Sequence, residues 1–315
     1  MNAPTAASVS APETTPATPD ALPARSRLSI LAGLTKPRLN VLVLLSVAAG
    51  FTLGTPLGPL SEFRWDRLLH VLVGVFFTAS GASVLNQVIE MSRDARMPRT
   101  ANRPLVEGRI GRVEALVFGL VLGLGGMTYL VLASNKVAAG LAGLTMLLYL
   151  LVYTPLKHRT ELNTLIGAFP GALPTLIGWE AAERLNAQAG TLFAILFLWQ
   201  LPHFFAIAWI YRKDYAQGGF KMLPVVNPDG KSTGRRAVVY ALLLLLIVWT
   251  PTTLALTGLA YAIGSVALTL GYVGFALHFA IKRTDASARR LFLYSVLYLF
   301  VLLALMILDK VKVSA

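Results

Sequence analysis

Asn86, Glu90 and Asp94 stand at four-residue intervals in the string Asn86-Gln87-Val88-Ile89-Glu90-Met91-Ser92-Arg93-Asp94. On an α-helix each step of four residues drifts by about 40°, so one amide and two carboxylates share a face and climb about 12 Å along it. Such a ladder of oxygen donors suits a hard divalent cation. Magnesium commonly takes only one or two carboxylates and completes its octahedron with water and substrate phosphate. The segment that follows carries Arg96, Arg99 and Arg103, whose guanidinium forks match phosphate oxygens. An acidic helix end followed by an arginine-rich loop is the arrangement a metal–diphosphate complex needs. The metal neutralises the anion, and the arginines hold it and stabilise the charge that develops as it leaves. A plainer alternative is that Glu90 and Asp94 pair with Arg93 and Arg96, and that the arginines only orient the chain in a membrane.

A second set of polar residues lies further along, in Trp199-Gln200-Leu201-Pro202-His203-Phe204, followed by Arg212, Lys213 and Asp214. Gln200 and His203 fall inside an apolar run, where a polar group is costly and points to function. Pro202 would loosen the helix there and free backbone groups, which is tolerable where backbone lines a cavity. Tyr153 and Lys157 close an earlier run with the same four-residue spacing. Two polar helix ends four runs apart suggest a duplicated four-helix unit. Histidines at helical spacing for zinc are absent, and so is cysteine, which excludes thiolate metal sites, disulfides and a cysteine nucleophile.

These residues must be positioned by membrane helices. Of the 315 residues, 56% are apolar and 14% charged, against about 25% charged in a soluble domain; mean hydropathy is +0.65. Apolar runs long enough to cross about 30 Å of hydrocarbon fall at 39–58, 68–90, 113–133, 137–156, 164–180, 190–211, 237–257, 260–281 and 291–309. The fifth is short and broken by Pro170, Gly171 and Pro174. The expected fold is therefore an all-α polytopic membrane protein with nine transmembrane helices. Most of the 28 lysines and arginines precede the first span or lie in the 2–3, 4–5, 6–7 and 8–9 loops. The positive-inside rule then places the N-terminus in the cytoplasm and the C-terminus in the periplasm of a bacterial inner membrane. Residues 1–27, rich in Ala, Pro, Thr and Ser, lack the basic and apolar regions of a signal peptide and the arginines of a transit peptide. They read as a disordered tail ahead of a transmembrane domain over 28–315.

At these residues the chain resembles the intramembrane prenyltransferases of the UbiA superfamily, and within it the haem-prenylating branch. The strings that carry the resemblance are Thr35-Lys36-Pro37-Arg38, the whole of 86–105, Tyr153-Thr154-Pro155-Leu156-Lys157, residues 163–174, the Trp199–Phe204 string and residues 214–224. The resemblance implies nine helices around a central cavity and transfer of a farnesyl group from farnesyl diphosphate to a vinyl group of haem b, giving haem O for terminal oxidases. Haem b is substrate, not cofactor, and Mg2+ accompanies the diphosphate. It further implies catalytic roles for Asn86, Glu90, Asp94 and His203, and metal binding by Asn86, Glu90, Asp94 and Asp214. Diphosphate binding would fall to Arg93, Arg99, Arg103, Lys157, Arg212 and Lys213, and haem contacts to His203, Gln200 and Tyr153. Glu90 stands where the superfamily more often has Asp; Gln200 and His203 stand at its early Asp and Tyr positions, leaving Asp214 as the carboxylate of the second motif. Membrane lipid and a downstream haem-modifying enzyme are the other implied partners, and nucleic acid is not one. Two rival readings are a prenyltransferase for a quinone precursor and a transporter of an anionic solute, whose expected mark is ionisable residues at the membrane midplane.

Overall fold

The computed structural model describes residues 26–311; all but the last two residues of the expected tail lie outside them. The chain there is built of helices, with one isolated antiparallel bridge, Thr257 to Lys310. Helix α1 is Arg27–Leu34 and α2 is Pro37–Gly54, the proline sitting in the first turn where its missing N–H costs nothing. Helix α3, Trp65–Asp94, has 30 residues, about 45 Å at 1.5 Å per residue. That exceeds the hydrocarbon thickness, and the Asn86–Asp94 ladder occupies its last turns. Helices α4, Arg112–Ala133, and α5, Lys136–Leu147, form a hairpin. α5 runs on into a π-helical segment, Leu148–Tyr153, and a short turn, Thr154–Leu156. Then come α6, Asn163–Ala182; α7, Ala187–Ile210; α8, Arg212–Gln217; α9, Lys231–Ile247; α10, Leu259–Lys282; and α11, Asp285–Leu308.

Among the described residues eight helical stretches are long and apolar enough to cross a membrane, one fewer than the nine expected. The one that falls short in apolarity is α6, the stretch interrupted by prolines. It spans 20 residues, enough in length, but both prolines, Gly178, Asn163, Thr164 and Thr175 are buried in a helix that packs on α2, α5 and α7. A helix that meets protein on most sides needs less lipid-facing apolar surface. Several helices also begin earlier than the apolar runs did. α9 starts at Lys231 and α11 at Asp285, where Thr284 and Ser287 form a reciprocal cap. Charged first turns belong to these helices although they end the hydrophobic pattern, because capping and hydropathy respond to different residues.

Packing follows small residues. A Cβ added at Gly178 of α6 would lie 1.9 Å from Val47 O of α2, and one at Gly81 of α3 would lie 2.4 Å from Gly123 N of α4. Only glycine lets these backbones approach so closely, the means by which helices associate in lipid. The second half is joined instead by large side chains: Phe205, Trp209, Tyr261, Tyr272, Phe279 and Tyr298 are buried in one cluster. Helices α2, α3, α5 and α6, with Phe204 of α7, enclose a cavity of about 350 Å3.

Candidate functional site

The ladder of α3 adjoins this cavity through Lys157, which lines it and holds Glu90; Asn86, Glu90 and Asp94 do not themselves line it. Asn86, Glu90 and Asp94 are 2%, 6% and 1% exposed, so each needs a partner. Asn86 Nδ2 donates to Glu90 Oε2 at 2.9 Å, and Thr154 Oγ1 donates to Asn86 Oδ1 at 2.8 Å. Lys157 Nζ donates to Glu90 Oε1 at 2.9 Å. Arg103 Nη1 donates to Asp94 Oδ2, while Thr100 Oγ1 donates to the Asp94 carbonyl at 2.8 Å and folds the loop back onto the helix end. The cations that hold the two carboxylates are thus Lys157 and Arg103, not the Arg93 and Arg96 of the plainer alternative.

Lys157 reaches Glu90 because of the π-helical segment before it. Widening the helix there brings Tyr149, Tyr153 and Lys157 onto one cavity wall. The ammonium lies 4.7 Å from the Tyr153 ring centroid and 5.8 Å from that of Tyr149, within cation–π range. Tyr149 went unnoticed in the sequence, although the four-residue spacing 149, 153, 157 was a signal for it.

Lys36 belongs to the basic group before the first span and to the Thr35–Arg38 string, with no ligand assigned to it from the sequence. It adopts φ 50 as the residue capping α2, and it lines the cavity. Its ammonium has neither a hydrogen-bond acceptor nor an ion-pair partner among the described residues. Burial pushes its pKa down to about 8, assisted by the positive charges of Arg103 and Lys157. The Lys36-Pro37 pair was the available clue: proline marks the first turn of α2, so the lysine before it stands at the mouth. Asn40, one turn on, lines the same cavity and is held by Thr35 O and Ser80 Oγ, both at 3.0 Å.

The remaining expected residues divide. Arg99 lies 3.9 Å from Asp214 and its guanidinium is 5.1 Å from the Tyr211 ring centroid. Arg212 donates to Asp285 Oδ1 and to Trp209 O, both at 2.6 Å, and Lys213 is exposed. Arg93 is half-buried, close enough to help depress the pKa of His158 after burial itself. Gln200 is turned into the contact with α6, donating to Ala168 O at 2.8 Å. His203 Nδ1 is 2.7 Å from Ser295 Oγ, and that hydroxyl donates to Phe292 O at 2.5 Å. The hydroxyl therefore accepts from Nδ1–H, which leaves Nε2 with a free lone pair. Phe204, not His203, lines the cavity, and Tyr153 lines it too.

Among the described residues no three His, Asp or Glu side chains form a group that could hold a metal alone; Asp214 is engaged with Arg99 rather than with the ladder. What the ladder offers is two carboxylates and an amide oxygen. Those oxygen donors fit magnesium in the form that relies on diphosphate and water for its other positions. Beneath them the cavity turns apolar, with Val43, Val75, Ala142, Pro174 and Ile177 in its wall. A charged mouth over an apolar shaft matches an amphiphile with an anionic head and a hydrocarbon tail.

A profile of the UbiA prenyltransferase family matches residues 40–303. A protoheme IX farnesyltransferase from Solibacter usitatus is 43% identical over 283 residues, covering 88% of this chain and 97% of the relative. One from Koribacter versatilis is 43% identical over 285 residues, covering 88% and 92%. Among solved structures, a UbiA homologue from Archaeoglobus fulgidus bound to GPP and Mg2+ superposes with a TM-score of 0.65 at 17% identity, covering 88% of this chain and 99% of that one.

Proposed function

The chain belongs to the UbiA prenyltransferase family, and from that premise we propose that it transfers a farnesyl group from farnesyl diphosphate to a vinyl group of haem b, giving haem O. The observation that carries this is the pairing of Glu90 with Lys157 and of Asp94 with Arg103 beside a largely apolar cavity of about 350 Å3 that Lys157 and Lys36 line. Support for the acceptor comes from relatives named protoheme IX farnesyltransferase that align over nearly their whole length.

The diphosphate would lie at the mouth, with Lys36, Arg103 and Lys157 facing it and Arg99 at the rim. Asn86, Glu90 and Asp94 would hold Mg2+, which supplies charge neutralisation for the leaving group. The C1–O bond breaks and diphosphate departs with the electron pair. The rings of Tyr149 and Tyr153 and the apolar wall keep water from the allylic cation. A vinyl carbon of haem b attacks C1 to form the new C–C bond. Water adds to the cation left on the macrocycle side and loses a proton, so one water is consumed. His203 Nε2 could bind the haem iron, since neutral imidazole suits iron; its ring lies against that of Phe204, which lines the cavity. The enzyme would lie in a bacterial inner membrane with the ladder at the cytoplasmic face, because the arginine-rich loops flank it.

The test is a product assay. Detergent-purified protein, haem b, farnesyl diphosphate and Mg2+ should yield a farnesylated, hydrated haem by mass, and EDTA should abolish it. Transfer to a quinone precursor with haem left untouched would overturn the acceptor, and an absence of transfer to any acceptor would favour the carrier reading.

A further inference from the structure

The carboxylates of the ladder are already occupied by cations, and this has a consequence for how the site fills. Lys157 Nζ lies on Glu90 and the Arg103 guanidinium on Asp94. The metal–diphosphate reading requires these same four groups elsewhere: the carboxylates on a divalent cation and the two cations on phosphate oxygens. We infer that Lys157 and Arg103 change partners when substrate binds, so that the ladder is closed to a metal ion alone and opens when a diphosphate takes over the two cations. This inference rests on the proposed reading of the site as a metal–diphosphate centre.

The argument is one of charge pairing in a poorly solvated place. Glu90, Asp94 and Lys157 are buried, and a buried charge deprived of its partner is strongly unfavourable. A metal arriving alone would strand an ammonium and a guanidinium. A diphosphate arriving alone would strand two carboxylates. When both arrive, every charge has an opposite neighbour before and after the exchange, so each ligand raises the affinity of the other by the same factor.

The side chains are placed for it. Lys157 follows a single turn beyond the π-helical segment and lines the cavity, so a rotation of its flexible stem moves the ammonium from Glu90 toward the mouth. The Tyr149 and Tyr153 rings lie within cation–π range of the ammonium and would support its charge between partners. Arg103 has less distance to cover, because Thr100 pins its loop to the end of α3. Lys36, which carries no carboxylate, is free to meet the anion first.

Binding of Mn2+ to the full chain in detergent, followed by the electron paramagnetic resonance of the free ion, tests this. It is measured with and without the unreactive S-thiolo analogue of farnesyl diphosphate. Wild type should bind Mn2+ about tenfold more tightly with the analogue present. A metal that merely bridged to the diphosphate would give that much, so the decisive arm is Lys157→Met without analogue. Exchange requires that this variant bind Mn2+ alone about tenfold more tightly than wild type, since Glu90 is released, while Lys157→Arg stays at the wild-type value. In a second arm, Glu90→Gln frees Lys157 and should tighten analogue binding in EDTA. A folded Lys157→Met variant with wild-type Mn2+ affinity overturns the inference, as does a Glu90→Gln variant that binds analogue no better. Haem farnesylation without the Mn2+ gain removes the exchange and leaves the reaction; the gain without any farnesylated haem retains the exchange and removes the acceptor.

Discussion

The ends of α3 and α7 are built from similar materials and used differently. The end of α3 carries an amide, acidic residues and a basic loop, and the stretch from α7 into α8 carries Gln200, Asp214 and basic neighbours; together they suggest a duplicated unit. At the end of α3 the charges converge: Asn86, Glu90 and Lys157 form one bonded set and Asp94 with Arg103 another, one turn on. At the end of α7 they disperse. Gln200 bonds to the backbone of α6, His203 to Ser295 of α11, Arg212 to Asp285, and Asp214 lies near Arg99. The lesson is that a polar residue in a membrane helix earns a chemical role from what faces it, not from its place in a repeat. Only the first end has opposite charges stacked over an apolar cavity, where their interactions are strong and their desolvation is shared.

The sharpest way to break this comparison is to remove one carboxylate from each end. Asp94→Asn should lower prenyl transfer at least about a hundredfold, because it deprives both the metal and Arg103 of their anion. Asp214→Asn should cost no more than about fivefold, as for loss of a partly exposed ion pair. Initial rates of haem farnesylation at saturating substrate decide it. Equal losses at the two sites would restore a symmetric pair of metal sites.

A smaller effect separates the cations. Burial holds the pKa of Lys36 near 8, whereas Arg212 at the other end is tied to Asp285. Below about pH 8 Lys36 is an ammonium and attracts the diphosphate; above it the charge is lost. The kcat/KM for farnesyl diphosphate, which reports the free enzyme, should therefore fall by up to about tenfold over the pH unit above 8. Lys36→Arg should abolish that fall. The sign for stability is opposite: between about pH 8 and the ordinary lysine value of 10.5 the unfolded chain binds the extra proton, so folding stability rises with pH across that window. A profile unchanged by Lys36→Arg would remove Lys36 from the site.

How far the sequence reveals this site depends on the kind of signal. The ladder was legible because helical periodicity alone puts 86, 90 and 94 on one face. The membrane architecture was legible because apolar runs and basic loops are written locally in the chain. Which cation meets which carboxylate was not: Lys157 pairs with Glu90 across 67 positions, by way of a π-helical segment that no propensity announces. Nor was the role of α6 clear, since its burial by α2, α5 and α7 is a tertiary fact. Arg93, Arg212 and Lys213 show the converse. Their types suit phosphate, yet Arg212 is committed to Asp285 and Lys213 points outward.

The smallest expected effect concerns packing at the second end. A Cβ added at Gly171 would lie 2.2 Å from Gln200 Oε1, closer than any contact permits. Gln200 holds its place by donating to Ala168 O at 2.8 Å, so Gly171→Ala must either push the amide aside or part α6 from α7. Overpacking of this kind costs about 1–3 kcal/mol, read as a lower Tm in detergent. If Gln200 is a strut between the two helices, Gln200→Ala relieves the clash, and the double variant should be more stable than the sum of the single losses predicts. The rate per folded molecule should then depend little on Gln200, in contrast to Asn86, the amide at the equivalent end of α3. If Gln200→Ala instead raises the KM for haem b while leaving Tm and the KM for farnesyl diphosphate unchanged, the amide touches the acceptor, and the end of α7 regains the chemical role that its contacts deny it.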